Sequence, residues 1–203
     1  MSLHIYFGFK ENSMTELSRE TKETQINVKL DLYGQGNSII DTGVGFLDHM
    51  LEAFSKHSHI NLEVTCKGDT HIDDHHSVED VGIVIGQALR KELYPIQNIE
   101  RYGNATVVMD EASVTCDLDI SNRPFLVFEM PMEGKVGNFD VELVEEFFRA
   151  LTFNASLTVH LISNRGTNKH HRIEGAFKAL AVALRRGVSI NENAGIPSTK
   201  GVL

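Results

Sequence analysis

Cysteine is scarce in this chain of 203 residues, which carries only Cys66 and Cys116. Two thiols build neither a disulfide framework nor the thiolate cage of a structural zinc site. Positive charge is also short, with 19 Lys and Arg against 28 Asp and Glu and a formal net charge of −9. A balance of that sign argues against general binding of nucleic acid or an anionic membrane, so an anionic ligand would need a local cluster of Lys and Arg. No apolar run reaches the roughly 20 residues of a membrane-spanning helix, and the N-terminus lacks a clear signal-peptide pattern. The expected setting is a soluble, cytoplasmic protein, and 41% hydrophobic with 23% charged residues fits a globular body.

Against these shortages stands one pattern that occurs twice. His75-His76-Ser77-Val78-Glu79 returns as His170-His171-Arg172-Ile173-Glu174, a shift of 170 − 75 = 95 residues. At the same shift Ala88-Leu89-Arg90 falls on Ala183-Leu184-Arg185, and Leu62 and Val64 fall on Leu157 and Val159. The chain therefore reads as a duplicated unit. Residues 14–97 form the first repeat, 98–190 the second and 191–203 a tail; residues 1–13 fit neither repeat and are a leader or a native arm.

Each repeat is expected to run from strands into helices. Thr24 to Leu32 alternates polar and apolar residues, as a half-buried strand does. The turn at Gly34-Gln35-Gly36-Asn37 leads to a short strand near Ser38 to Asp41, and Gly45 to Phe54 reads as a helix. A strand over Asn61 to Lys67 precedes a helix from His75 to about Leu93, with Asp74 as its N-cap and Pro95 ending it. In the second half, strands are expected at Gly103 to Met109, Ser113 to Asp119, Phe125 to Glu129 and Ser156 to Ile162, with a turn at Asn164-Arg165-Gly166. Helices are expected over Val141 to Leu151 and from His170 to about Arg186. The fold class is α+β, with the helices packed between two outer sheets.

On a helix, His75 and Glu79 share a face, and so do His170 and Glu174, each a half-site for a divalent cation. Neighbouring histidines diverge by about 100°, so His76 and His171 point toward a different metal or a different subunit. His49, on the first helix, aligns with Glu146 on the corresponding helix of the second repeat. Five histidines and three glutamates then give eight ligands for two metal centres. Nitrogen and oxygen donors without thiolate suit Mn²⁺ or Fe²⁺ better than structural Zn²⁺. His4, His57, His59 and His160 read as ordinary surface or core residues, and His71 is open between a place near the site and a structural one.

The segments Gly45-Phe46-Leu47-Asp48-His49-Met50-Leu51, His71-Ile72-Asp73-Asp74-His75-His76, Glu145-Glu146-Phe147-Phe148-Arg149-Ala150-Leu151 and Pro197-Ser198-Thr199-Lys200-Gly201-Val202-Leu203 resemble the imidazoleglycerol-phosphate dehydratases of histidine biosynthesis. The resemblance runs from about residue 19 to the C-terminus, and Glu146 departs from it where many members have His. It implies a hydro-lyase that converts D-erythro-imidazole-glycerol phosphate to imidazole-acetol phosphate and water. It also implies two Mn²⁺ per subunit and a homo-oligomer of twenty-four subunits with shared active sites. The implied chemistry passes through a metal-bound imidazolate, which expels the adjacent hydroxyl to a diazafulvene-like intermediate, and then through an enol. Glu23 matches the family's acid–base carboxylate, with Glu174 close enough to share proton transfer, so the choice between them stays open. Phosphate recognition is carried over to Arg101, Arg123, Lys178, Ser198 and Lys200. Two other readings are another metal-dependent hydrolase or lyase and a non-enzymatic metal-binding or storage oligomer; the second gives no role to Glu23, Arg101, Arg123 or Lys200.

Overall fold

Period-two alternation builds both sheets. The computed structural model describes residues 14–201, so the leader expected at residues 1–13 lies outside the described residues. The first repeat contains β1 (Thr15–Glu20), β2 (Thr24–Asp31), β3 (Ser38–Asp41), α1 (Gly45–Ser58), β4 (Asn61–Gly68) and α2 (His75–Leu93). The second contains β5 (Tyr102–Met109), β6 (Ala112–Asp119), β7 (Phe125–Glu129), β8 (Lys135–Val136), β9 (Phe139–Asp140), α3 (Leu143–Ala155), β10 (Thr158–Arg165) and α4 (Lys169–Gly187). In β2, Ile26, Val28 and Leu30 are fully buried, while Gln25 and Asn27 face solvent.

The sheet orders are β1-β2-β4-β3 and β5-β6-β10-β7. In each, the fourth strand lies parallel to its neighbour and the other pairings are antiparallel. An order shared down to strand direction is what a duplicated unit gives. The helices fill the space between the sheets: α2 packs on β1, β2 and β4, and α4 packs on β5 and β6. The helices also cross between repeats, α1 lying on α4 and α2 on α3. Within the second repeat Phe147 and Phe148 of α3 pack with Phe177 of α4, ring centroids 4.7–5.6 Å apart, and the α1–α4 and α2–α3 contacts join the two repeats into one core.

Several local expectations differ from the structure. β3 does not fold back on β2 as a hairpin; it crosses to pair with β4, and β2 lies between β4 and β1, a strand at the start of the first repeat that the sequence pattern did not assign. Asp74 makes no side-chain cap, and its backbone is helical at φ −90° and ψ −2°. Asp73 does that work instead, its carboxylate accepting the His75 N–H at 2.8 Å. β10 continues through the expected turn at Asn164, which is a bulge in the pairing with β6. The α4 cap is local and specific: the Asn168 side chain accepts from the N–H groups of both His170 and His171.

Glycine permits the close approach of α2 to α3. A Cβ on Gly86 would lie 2.6 Å from the Leu151 carbonyl oxygen, and one on Gly82 would lie 2.9 Å from that of Phe147. The obstacle is helix backbone, which cannot swing aside. Gly86→Ala should therefore destabilise the chain by about 1–3 kcal/mol, read from urea denaturation; an unchanged midpoint would contradict this packing.

Candidate active site

Because α1 crosses onto α4, His49 of the first repeat meets His170 and Glu174 of the second. The Glu174 carboxylate is 3.1 Å from His170 Nε2 and 3.5 Å from His49 Nε2. One ligand atom from each of the three lies within 4.8 Å of the others, and among the described residues this is the one such group. Glu174 is 6% exposed. Burial alone would raise its pKa, but Lys178 Nζ at 2.6 Å and the two histidines outweigh it, holding the carboxyl below its ordinary range. Two imidazoles and an ionised carboxylate are a fitting donor set for Mn²⁺, Fe²⁺ or Zn²⁺. His49 also opens onto a cavity of about 600 Å³, shared with Phe46, Thr70, Asp74 and Phe139.

The remaining expected ligands do not converge in the same way. His75 Nε2 is 3.8 Å from Glu79, both side chains being well exposed. His76 Nε2 faces Glu23 at 3.8 Å, while its Nδ1 lies 3.1 Å from both Asp69 oxygens. The Asp69 hydrogen bond, with help from the Glu23 charge, raises the His76 pKa. His171 Nδ1 is 2.8 Å from Glu111. Glu146 joins none of these groups; it lines a separate cavity with Phe128, Met132, Glu142 and Glu145. The structure thus gathers three of the eight expected ligands and leaves the others as half-buried partial sets.

The expected phosphate contacts gather elsewhere. Arg101, Arg123, Ser198 and Lys200 line one cavity of about 410 Å³ with Tyr102, Ser121, Asn122 and Thr199. Arg101 is 8% exposed and grips Asp119 through two N–H donors at 2.7 and 3.0 Å. A third donor holds the Pro197 carbonyl at 2.7 Å, seating the tail over the cavity. Arg123 is exposed and has a looser contact with the same Asp119 at 3.5 Å. Lys178 is absent from this group, being paired with Glu174.

His57, read from the sequence as an ordinary surface or core residue, is half-buried beside Lys178 and Arg185; burial first, then those two charges, lower its pKa. Sequence reading missed Asp69, Glu111 and Asp119. Only Asp69 carried a local hint, preceding His76 by seven residues.

The two groups occupy opposite ends of α4. The Arg101 N–H is bonded to the Gly187 carbonyl at the helix end. Glu174 lies 187 − 174 = 13 residues earlier, roughly 20 Å away at about 1.5 Å per residue.

The family profile described as imidazoleglycerol-phosphate dehydratase matches residues 42–184. The chain belongs to this dehydratase family. It is 78% identical over 190 residues to the imidazoleglycerol-phosphate dehydratase of Sulfurovum sp. (strain NBC37-1), covering 94% of this chain and all of the relative. The corresponding enzyme of Sulfurimonas denitrificans is 65% identical over the same length and coverage. The crystal structure of imidazoleglycerol-phosphate dehydratase from Staphylococcus aureus superposes with a TM-score of 0.80 at 43% identity, covering 88% of this chain and 99% of that one. The Pyrococcus furiosus enzyme, crystallised with (S)-C348, gives 0.80 at 38% identity, covering 92% of this chain and all of that one. The chain is accordingly a hydro-lyase of histidine biosynthesis, and the dehydratase family's fold is the mixed architecture described above.

The tail's seating on Arg101 is open to test. Arg101→Lys keeps the charge and loses the fork that holds Asp119 and Pro197 together. Amide exchange over residues 197–201 should accelerate; an equally protected tail would contradict this role.

Proposed function

We propose that the chain dehydrates D-erythro-imidazole-glycerol phosphate to imidazole-acetol phosphate, using two Mn²⁺ per subunit, in a cytoplasmic homo-oligomer whose active sites are shared between neighbouring subunits. The observation that carries this reading is the division of labour along α4. The imidazole-facing ligands sit near its start and the cation-lined cavity at its end, roughly 20 Å apart by helix rise. Three carbons and an ester oxygen join the ring of this substrate to its phosphorus, far too short a reach. One chain therefore supplies the metal end of a site and a neighbour supplies the phosphate end. The half-buried His75, His76, Glu79, Glu146 and His171 support the same view, since no three of them converge within one chain. A second metal set would be completed across the boundary.

When bound, the divalent cation polarises the imidazole ring by Lewis acidity and lets it relay electrons to the adjacent carbon. His49, His170 and Glu174 would hold one ion, with Lys178 keeping Glu174 ionised. Glu23 is the better acid–base residue. It is exposed and close to His76, whereas Glu174 is committed to two histidines and a lysine. Glu23 takes the proton from the carbon next to the phosphate-bearing carbon. The hydroxyl beside the ring leaves as water with the proton that Glu23 took, and the enol loses its O–H proton and gains one at the ring-side carbon to give the ketone. Arg123, Ser198 and Lys200 bind the phosphate, while Arg101, with two N–H donors uncommitted, holds the tail in place. The repeats at 14–97 and 98–190 are duplicated units and not independent domains, since their helices complete each other's cores.

Metal-stripped protein should form imidazole-acetol phosphate only after Mn²⁺ is returned; no product from folded, fully loaded protein would overturn the substrate reading. Lys200→Ala should raise KM about 10–100-fold, in line with about 1.5–3 kcal/mol for a charge-assisted hydrogen bond, and leave metal content intact. A variant that lost its metal would contradict the division of roles.

A further inference from the structure

In each His-His pair the second histidine presents Nδ1 to a carboxylate outside the expected ligand set. His76 Nδ1 lies 3.1 Å from both oxygens of Asp69. His171 Nδ1 lies 2.8 Å from one oxygen of Glu111. The other Glu111 oxygen accepts the backbone N–H groups of Thr167 at 3.1 Å and Asn168 at 2.8 Å, which fixes the carboxylate against the start of α4. A neutral imidazole has one N–H and one lone pair. A carboxylate facing Nδ1 takes the N–H there and leaves the lone pair on Nε2.

The duplication does not carry this arrangement. Ninety-five residues after Asp69 stands Asn164, whose side chain donates to the Thr115 hydroxyl at 2.8 Å. β2 and β6 correspond at a shift of 112 − 24 = 88, which sets Glu111 against Glu23, and the Glu23 carboxylate faces Nε2 of His76 at 3.8 Å, not Nδ1. Asp69 comes from the turn leading into the helix of its own histidine, whereas Glu111 comes from the β5–β6 turn, 60 residues before His171. The two repeats reach the same contact from non-equivalent positions. The equivalent hairpin carboxylates thus meet different ring nitrogens, and in the first repeat Asp69 takes the place at Nδ1 that Glu111 fills in the second.

We propose that Asp69 and Glu111 are positioning residues that fix the Nδ1–H tautomer of His76 and His171 and so present Nε2 to a divalent cation. This rests on the metal dependence proposed above. The two carboxylates differ in what an amide can replace. In Glu111→Gln the side-chain oxygen is already held by two backbone N–H groups, so the amide NH₂ must face Nδ1. The ring is then forced into the opposite tautomer, with its proton on Nε2. In Asp69→Asn the amide can turn its oxygen to Nδ1, and the tautomer survives.

The test measures Mn²⁺ affinity of the intact oligomer by chelator competition, together with solid-state ¹⁵N spectra of histidine-labelled, metal-free protein. The wild type should have Nδ1–H at both histidines. Glu111→Gln should bind Mn²⁺ about 10–100-fold more weakly, the usual effect of losing such a partner, with the His171 proton moved to Nε2. Asp69→Asn should lose much less. A purely structural role for Glu111 would instead lower the melting temperature of the metal-free protein and leave the tautomer unmoved. That result, or Mn²⁺ affinity equal to the wild type, would overturn the proposal. If Glu111→Gln does not fold, the wild-type spectrum decides alone, and a protonated Nε2 at His171 overturns it. Wild-type protein that takes up no Mn²⁺ would overturn the metal reading and this inference together.

Discussion

Burying the Glu174 carboxylate obliges the fold to bring partners to it, because a charge removed from water without them is strongly destabilising. Lys178 comes from the same helix face one turn later, and His170 from one turn earlier. The fourth member, His49, has to arrive from the other repeat, and it does so because α1 lies on α4. The crossed helix packing and the ligand cluster are thus one constraint seen at two scales. A chain whose repeats folded separately would leave His49 far from Glu174 and dissolve the cluster.

The same helix separates the two chemistries. α4 starts beside the imidazole and carboxylate groups and ends at the Gly187 carbonyl, where Arg101 docks and carries the tail with it. A helix of 19 residues is a rigid spacer on this scale. The protein's negative net charge makes the concentration of Arg101, Arg123 and Lys200 around one cavity the more telling, since an anion would find few other cationic hollows.

Much of this was legible in the sequence because it is periodic. Strand alternation gave β2 and the buried row of Ile26, Val28 and Leu30, and the shift of 95 residues gave the duplication and the paired His-His-x-x-Glu helices. Grouping Arg101, Arg123, Ser198 and Lys200 came from resemblance, and the structure does bring those four to one cavity. What stayed illegible depends on tertiary placement. Nothing local says that β3 will pair with β4, or that Glu111 will reach His171 across 60 residues. Glu146 aligns with His49 in sequence, and α3 lies on α2 as α1 lies on α4, yet within one chain Glu146 lines a cavity with Glu142 and Glu145 and joins no ligand group. His57 read as ordinary because its basic neighbours Lys178 and Arg185 lie on a distant helix.

The central claim is that one chain's metal ligands work with a neighbour's phosphate-binding tail. Co-assembly of two impaired variants, assayed at substrate concentrations below KM, tests it most directly: Glu174→Gln, aimed at the proposed metal end, and Lys200→Ala, aimed at the proposed phosphate end. In mixed oligomers some boundaries pair the intact metal end of one variant with the intact tail of the other. Dehydratase activity should then reappear above that of either variant alone. Mixed oligomers no more active than the parents would contradict the shared site and require a complete active site within each chain.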